Sequence, residues 1–315
     1  MMIRKILILA LLFQTSLLAQ SKPKNILDKT FIQFKWSNDF VYDTDYYYTN
    51  GFAFEVMGPW AKGNPINSIL IPSTSKSINQ FGVTLTQDIF TPQEKYNVEE
   101  QLKGDRPFAA YMLLGFIKKS FNPERNIKIT SEVQVGVLGP AALGKETQDG
   151  IHDMLPTSKR LNGWENQISN TLAINYSIEV YKSLFSLRWF NLYGSAKGKL
   201  GIPFTHLEIG SSIRLGWFGL YPQGFESFSK RNWTAYFFVE AFGRIVGYNA
   251  TMQGGLFNTS IYTLSDINNF LVNYKLGVTF GYKLFTLELA STYNSPEFPE
   301  ALSHKWAYAI IRVGF

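Results

Sequence analysis

Past residue 30 the chain alternates apolar and polar side chains with a period of two, in one segment after another. In 235–245, Ala235, Phe237, Val239, Ala241, Gly243 and Ile245 share one face, and Tyr236, Phe238, Glu240, Phe242 and Arg244 share the other. In 272–282, Val272, Tyr274, Leu276, Val278, Phe280 and Tyr282 alternate with Asn273, Lys275, Gly277, Thr279 and Gly281. Leu207, Ile209, Ile213 and Leu215 against Glu208, Gly210, Ser212 and Arg214 repeat the pattern, as do Phe285, Leu287 and Leu289 against Thr286, Glu288 and Ala290. A period of two sends successive side chains to opposite faces of an extended strand. The chain is therefore built of β-strands with one apolar and one polar face each.

On this pattern about twelve strands are expected, near 30–38, 50–58, 80–88, 107–119, 127–137, 167–180, 183–196, 203–216, 232–246, 268–282, 284–292 and 305–315. Several exceed the ~5–6 residues of ordinary strands and suit a tilted bilayer crossing, which takes ~9–11. Alternation alone does not say whether the apolar faces meet a second sheet or lipid. Composition narrows the choice. At 17% charged and 16% aromatic the chain is neither disordered nor an average soluble domain. A mean hydropathy of -0.06 does not suit a bundle of membrane helices. Having no cysteine, it has no disulfide scaffold, no thiolate metal site and no cysteine nucleophile.

Residues 1–19 then set the compartment. Arg4 and Lys5 precede the apolar run Ile6 to Leu12, and small Ala19 leads into polar Gln20 and Ser21. This is the layout of a secretory signal peptide, cleaved after Ala19 or Gln20, and the apolar run is shorter than the ~20 residues of a spanning helix. Aromatics collect near strand ends, among them Trp60, Trp189, Trp217, Trp233 and Trp306, where interfacial girdles sit in membrane barrels. The chain stops on alternating Ala307, Ala309, Ile311, Val313 and Phe315, which resembles the terminal signal of outer-membrane barrels. The expectation is all-β: a single antiparallel transmembrane β-barrel over 20–315, in the bacterial outer membrane, with apolar side chains on lipid and Glu240, Arg244, Lys275 and Glu288 in the lumen. Segments 58–80, 91–106 and 139–166 are the expected loops. No internal repeat or linker divides the chain, and no nucleic-acid-binding feature is present.

Few residues can carry chemistry. There are three histidines, His152, His206 and His304. His206 opens an expected strand and His304 precedes the last one, so both are expected at a membrane interface or a turn. His152 follows Gly139-Pro140, where a strand ends, on a short helical stretch expected near 145–155. Gln148 is four residues earlier and on a helix shares its face. A second cluster runs from Trp36 to Gly51 and is dense in oxygen donors: Asn38, Asp39, Asp43, Asp45, Thr49 and Asn50. Such a set suits a hard cation, Ca²⁺ before Mg²⁺, although turns are rich in Asn and Asp in any case.

These clusters resemble the outer-membrane lipid A 3'-O-deacylases. The matching pieces are Asn38-Asp39 with Tyr48-Thr49-Asn50-Gly51, Gln87-Asp88-Ile89-Phe90-Thr91-Pro92, Gly104-Asp105-Arg106-Pro107-Phe108-Ala109-Ala110, Gly136 to Pro140, Gln148 to His152, and Gly163-Trp164-Glu165-Asn166-Gln167. They stand in the family's order over 38–167, and the C-terminal half matches mainly in barrel pattern. The resemblance implies a Ca²⁺-dependent hydrolase on a twelve-stranded barrel, with lipid A or lipopolysaccharide as substrate. It implies His152 as general base on a water, Thr49 and Gln148 as further active-site residues, and Asn38 and Asp39 near the cation. It also implies a lysine on a glucosamine phosphate, for which Lys95 is nearest in spacing and Lys103 could serve. Phe108-Ala109-Ala110, where the family commonly has glycine, and Gly150 within the helical stretch depart from the pattern. A monomer is expected. Two alternatives stay open: an outer-membrane phospholipase, whose His-x-Ser-Asn pattern none of the histidines here has, and a porin-like barrel without enzymatic activity.

Overall fold

The computed structural model describes residues 29–94, 96–153, 161–218, 232–257 and 259–315, so the expected signal segment and Lys95 lie outside the described residues. The strands are β1 (Phe31–Asn38), β2 (Tyr47–Met57), β3 (Ile78–Thr91), β4 (Ala109–Asn122), β5 (Ile127–Leu138) and β6 (Thr171–Ser186). They continue as β7 (Phe190–Gly201), β8 (Phe204–Trp217), β9 (Trp233–Asn249), β10 (Phe270–Tyr282), β11 (Phe285–Asn294) and β12 (His304–Gly314). Each pairs antiparallel with its neighbours in chain order, and β12 closes on β1 with Phe31 opposite Gly314 and Asn38 opposite Ala307. Closure removes every sheet edge, so the ladder satisfies the strand backbone without water. The twelve-stranded barrel expected from alternation is the fold. Among the described residues no helix is long and apolar enough to cross a membrane.

Side chains divide as a barrel in lipid requires. Trp36, Phe54, Leu172, Ile174, Ile209, Ile245 and Leu276 are exposed on the outer wall, whereas Glu55, Glu208, Glu240, Glu288 and Arg312 are buried inside. Several interior charges are paired: Lys119 Nζ sits 2.6 Å from Glu55, Lys197 3.0 Å and Lys128 3.4 Å from Glu179, and Arg244 2.6 Å from Glu208. Burying these charges is tolerable because each meets an opposite one. The remaining lumen encloses about 610 Å³. Tyr47, Val246, Met252, Ile267, Leu271 and Phe298 form an apolar cluster at the end carrying the long loops.

One boundary departs from expectation. A turn near 181–182 was expected between the sixth and seventh strands, but β6 runs on to Ser186 and the chain turns at 187–189. The register shifts between Ser183 and Phe185, so the strand absorbs an extra residue as a bulge and keeps pairing. With no glycine or proline in Ser183-Leu184-Phe185-Ser186, nothing there stops the ladder.

Connections of 39–46, 92–108, 139–170, 250–269 and 295–303 gather at one end, and the 58–77 connection and turns such as 123–126 and 283–284 at the end that holds Thr30 and Phe315. The long connections carry three short helices, α1 (Val98–Gln101), α2 (Gly144–His152) and α3 (Ala250–Gln253). Three ties lock these loops together. Buried Arg106 pairs with Glu297 and, at 2.5 Å, donates to Thr251 Oγ1; Tyr262 Oη donates to Asp105 O at 2.8 Å. The Gly104-to-Ala110 segment therefore works as a fastener among three connections.

Candidate active site

At eight residues β1 is the shortest strand, and it stops where the outer wall turns polar. Alternation sends Lys35 and Ser37 to the lumen and Phe34, Trp36 and Asn38 outward. Asn38 lies opposite Asn50 of β2 in register. The Asn50 Oδ1 accepts from Trp36 Nε1 at 2.9 Å and from Asn38 Nδ2 at 3.3 Å. The Asn38 Oδ1 accepts from Phe40 N at 2.6 Å and starts the turn. An amide pair on a lipid-facing wall is costly, and here the two amides satisfy each other and the Trp36 indole.

Asp39 follows at the barrel rim, only 2% exposed. Its Oδ2 accepts from Thr44 Oγ1 at 2.8 Å and from Tyr46 N at 3.2 Å. Burial pushes its carboxyl up to about 8, and nearby Asp45 adds to the rise while the Thr44 and Tyr46 bonds oppose it. The basic group within ion-pair range is the His304 ring, at 4.0 Å. A desolvated carboxylate beside a second carboxylate, with no lysine or arginine paired to Asp39 among the described residues, is an oxygen donor set that suits a hard cation. Among the described residues no group of three or more His, Cys, Asp or Glu side chains could hold a metal, so backbone or amide oxygens must complete any coordination.

Thr49 is the extra residue of a bulge where β2 shifts register against β3, between Tyr48 and Asn50. Its side chain is buried and donates to Ile89 O at 3.4 Å. Its carbonyl accepts from Asp39 N at 3.4 Å, so Thr49 and Asp39 are neighbours across the top of the β1–β2 pair.

The helix expected near 145–155 is α2, and its sequence explains its place. Gly139, at φ +107°, ends β5; Pro140 opens a single 3-10 turn; Leu143 is left-handed at φ 59° and Gly144 begins the helix. A Cβ on Gly144 would collide with the Ala110 Cβ, so only glycine lets the helix lie directly on the outer face of β4. Gln87 secures it, donating to Ala142 O at 2.5 Å. Ile89, Phe108, Ala110, Ala142, Leu161 and Trp164 form the apolar seam between this loop and the wall. Ala110, in the Phe108-Ala109-Ala110 segment where the family commonly has glycine, thus packs as a small side chain in that seam.

Within this frame Gln148 Oε1 accepts from the buried Trp164 Nε1 at 2.9 Å, and Gln148 Nε2 lies 3.4 Å from Asp45 Oδ1. One turn on, His152 Nε2 stands 3.7 Å from Asp45 Oδ2. Both side chains are buried and both address the same carboxylate. The structure so brings Asn38, Asp39, Thr49, Gln148 and His152 to one place on the outer rim. Lys103 is not part of it: its ammonium is exposed and paired with Glu100 at 2.8 Å, beside α1.

Two residues escaped the sequence reading as participants. Asp45 was one oxygen donor among six and received no role; only the return of α2 onto the 39–46 turn singles it out. His304, expected at an interface or turn, is 4% exposed and lies behind the site, donating through Nε2 to Tyr48 O at 3.0 Å. His206 likewise faces the interior, 3.5 Å from Glu208. Both stand on inward positions of their strands, and no local pattern marks that. The large lumen cavity is not this site: Asp88 and Tyr111, which line it, lie on the opposite face of β3 and β4 from Gln87 and Ala110.

A family model described as "Outer membrane protein LpxR" matches residues 6–315. Among solved structures, LpxR from Salmonella typhimurium superposes with a TM-score of 0.71 at 23% identity, covering 90% of this chain and 99% of that one. The β domain of the Bordetella autotransporter BrkA matches at a TM-score of 0.47 and 9% identity, over 90% of this chain and 98% of its own. Curated protein sequences give no match.

Proposed function

This chain belongs to the LpxR family of outer-membrane proteins, and from that premise we propose that it is a Ca²⁺-dependent lipid A deacylase that hydrolyses the 3'-O-linked acyl ester. The observation that carries this reading is the position of His152. The helix that bears it lies on the outer faces of β3 and β4 and meets Asp45 of the turn that follows Asn38, on the side that a lipid reaches laterally without entering the lumen.

His152 acts as general base on a water, a role worth about 10² to 10⁴ in rate. Asp45 orients the ring and stabilises the imidazolium that forms when the proton arrives. Gln148 holds Asp45 from the other side and is itself held by Trp164, so its contribution is to fix the carboxylate. The Thr49 bulge sets the rim beside Asp39 and keeps Asn50 outward. Asn38 and Asp39 are the residues that would hold Ca²⁺, with oxygen donors from the same turn. Bound there, the ion supplies positive charge that polarises the ester carbonyl and stabilises the developing oxyanion. No serine nucleophile is needed. A lysine on the 92–108 connection, Lys95 or Lys103, would meet the phosphate of lipopolysaccharide, Lys103 after leaving Glu100.

Mass spectrometry of lipid A from cells expressing the protein, with and without Ca²⁺ and beside His152→Ala, tests the reading. Loss of the 3'-linked chain only with Ca²⁺ and intact His152 is the expected result. Unchanged lipid A under every condition overturns it, and release of glycerophospholipid chains instead would assign a phospholipase.

A further inference from the structure

The end of β1 leaves a gap in the wall. β12 begins at His304, three positions beyond Ala307, the partner of Asn38. On the other side Tyr47, Tyr48 and Thr49 of β2 also extend past the last β1–β2 pair, Asn38 with Asn50. Two backbone stretches thus face each other beyond the end of β1. Side chains meet across that gap, with the Tyr48 ring 4.9 Å from that of Trp306 and Tyr47 Oη accepting from Leu302 N at 3.2 Å. The His304 ring reaches from β12 and its Nε2 donates to Tyr48 O at 3.0 Å.

The carbonyl it serves belongs to the bulge. In a regular strand Tyr48 and Asn50 would share a face. Here Tyr48 points into the lumen, donating to Asp88 Oδ1 at 2.9 Å, whereas Asn50 points outward to Trp36 and Asn38. The extra residue, Thr49, makes this division possible. If the bulge slipped by one residue, the outward amide would turn away from the rim. His304 is also firmly seated, 4% exposed, stacked on Trp306 at 5.6 Å and packed by Tyr46 at 5.1 Å. Its Nδ1 is buried without a hydrogen-bond partner, so the ring's single proton belongs on Nε2, the atom that faces Tyr48 O and lies 4.0 Å from Asp39.

We propose that His304 is a positioning residue for the rim site: by donating across the β1 gap it holds the Tyr48–Asn50 bulge, and with it Asp39, Thr49 and Asn50, in the arrangement that receives the cation. The proposal rests on the hydrolase reading for its consequence in turnover but not for its consequence in cation binding. It differs from a packing role because it depends on a donor and not on a ring.

The test uses the purified full barrel with His304→Phe, which keeps the packing and loses the donor, and His304→Gln, which restores an N–H. His304→Met, flexible and without a donor, replaces the phenylalanine variant if that one does not fold. Heat-modifiable migration reports the barrel, calorimetry reports Ca²⁺ binding, and kcat and KM are measured separately on lipid A. The donor-free variant is expected to stay folded, with Ca²⁺ affinity and kcat lowered about 10- to 100-fold, the range for residues that support a ligand shell. KM should change little, and His304→Gln should recover to within about threefold of wild type. Wild-type Ca²⁺ affinity in the donor-free variant overturns the proposal, and so does equal loss in the Gln and Phe variants. If the wild type binds Ca²⁺ but leaves lipid A intact, the hydrolase reading fails, while the affinity ratio between variants still decides the role of His304.

Discussion

His152 Nε2 stands 3.7 Å from Asp45 Oδ2, the last residue of a helix from one long connection against the turn of another. For the base role proposed for His152, a carboxylate beside one ring nitrogen would fix the orientation of the ring. Replacing Asp45 by Asn keeps shape and removes charge. Purified Asp45→Asn should deacylate lipid A about 10- to 10³-fold more slowly, and His152→Ala at least about 10²-fold more slowly. Wild-type turnover by Asp45→Asn would show that the pair is only structural.

Trp164→Phe probes the support behind the pair. It removes the Nε1–H that meets Gln148 Oε1 at 2.9 Å and leaves a buried acceptor unpaired. The cost is about 1–3 kcal/mol, confined to the loop that carries α2. Limited proteolysis should cut within 139–170 faster than in the wild type, with heat-modifiable migration of the barrel unchanged. Equal protection of the loop in both proteins would contradict this placement.

Gly150 works in the opposite direction. It sits inside α2, and a Cβ there would meet nothing within 4 Å. Glycine in a helix interior costs roughly 0.5–1 kcal/mol relative to alanine. Gly150→Ala should therefore slow proteolysis of the same loop. Faster cutting would mean that the local backbone needs the freedom of glycine.

Chelation isolates Asp39. In EGTA, lipid A should remain intact, and Ca²⁺ should restore its hydrolysis. Asp39→Asn keeps the amide-sized side chain but not its charge, and calorimetry should find Ca²⁺ binding weakened by at least about tenfold, as expected when a hard cation loses an anionic oxygen. Full Ca²⁺ dependence in Asp39→Asn would move the cation elsewhere.

A last prediction concerns the porin alternative. Glu55–Lys119, Glu179–Lys197 and Glu208–Arg244 cross the lumen wall, and the cluster around Met252 and Phe298 lies at its loop end. Planar-bilayer recordings should show no sustained, porin-sized conductance. Regular conductance steps would favour a channel.

Much of this was legible in the sequence, for definite reasons. The face of Asn38 followed from the phase of Phe34 and Trp36, since nothing interrupts β1 before its end. The helix that bears Gln148 and His152 followed from Gly139-Pro140 and a spacing of four. The sixth turn did not, because a bulge near Leu184 imitates a strand end to any reading that counts alternation alone. The inward placement of His304 did not either. Its strand begins three residues beyond the point where its neighbour stops, and strand stagger is a property of the closed sheet.

By itself the sequence determined the strands and their two faces, because alternation is local and each backbone step fixes a face; the export signal and the aromatic strand ends then pointed those faces to lipid. Only the tertiary structure decided which residues make the site. Gln148 and Asp45 are 103 positions apart, and they meet because the barrel brings the β1–β2 turn and the β5–β6 connection to the same stretch of rim. The physical reason is that loop-to-loop contacts are set by strand number, stagger and closure, which exist only once the last strand has paired with the first. Asp45 was one acidic residue among several in the sequence, and the folded barrel made it the partner of His152.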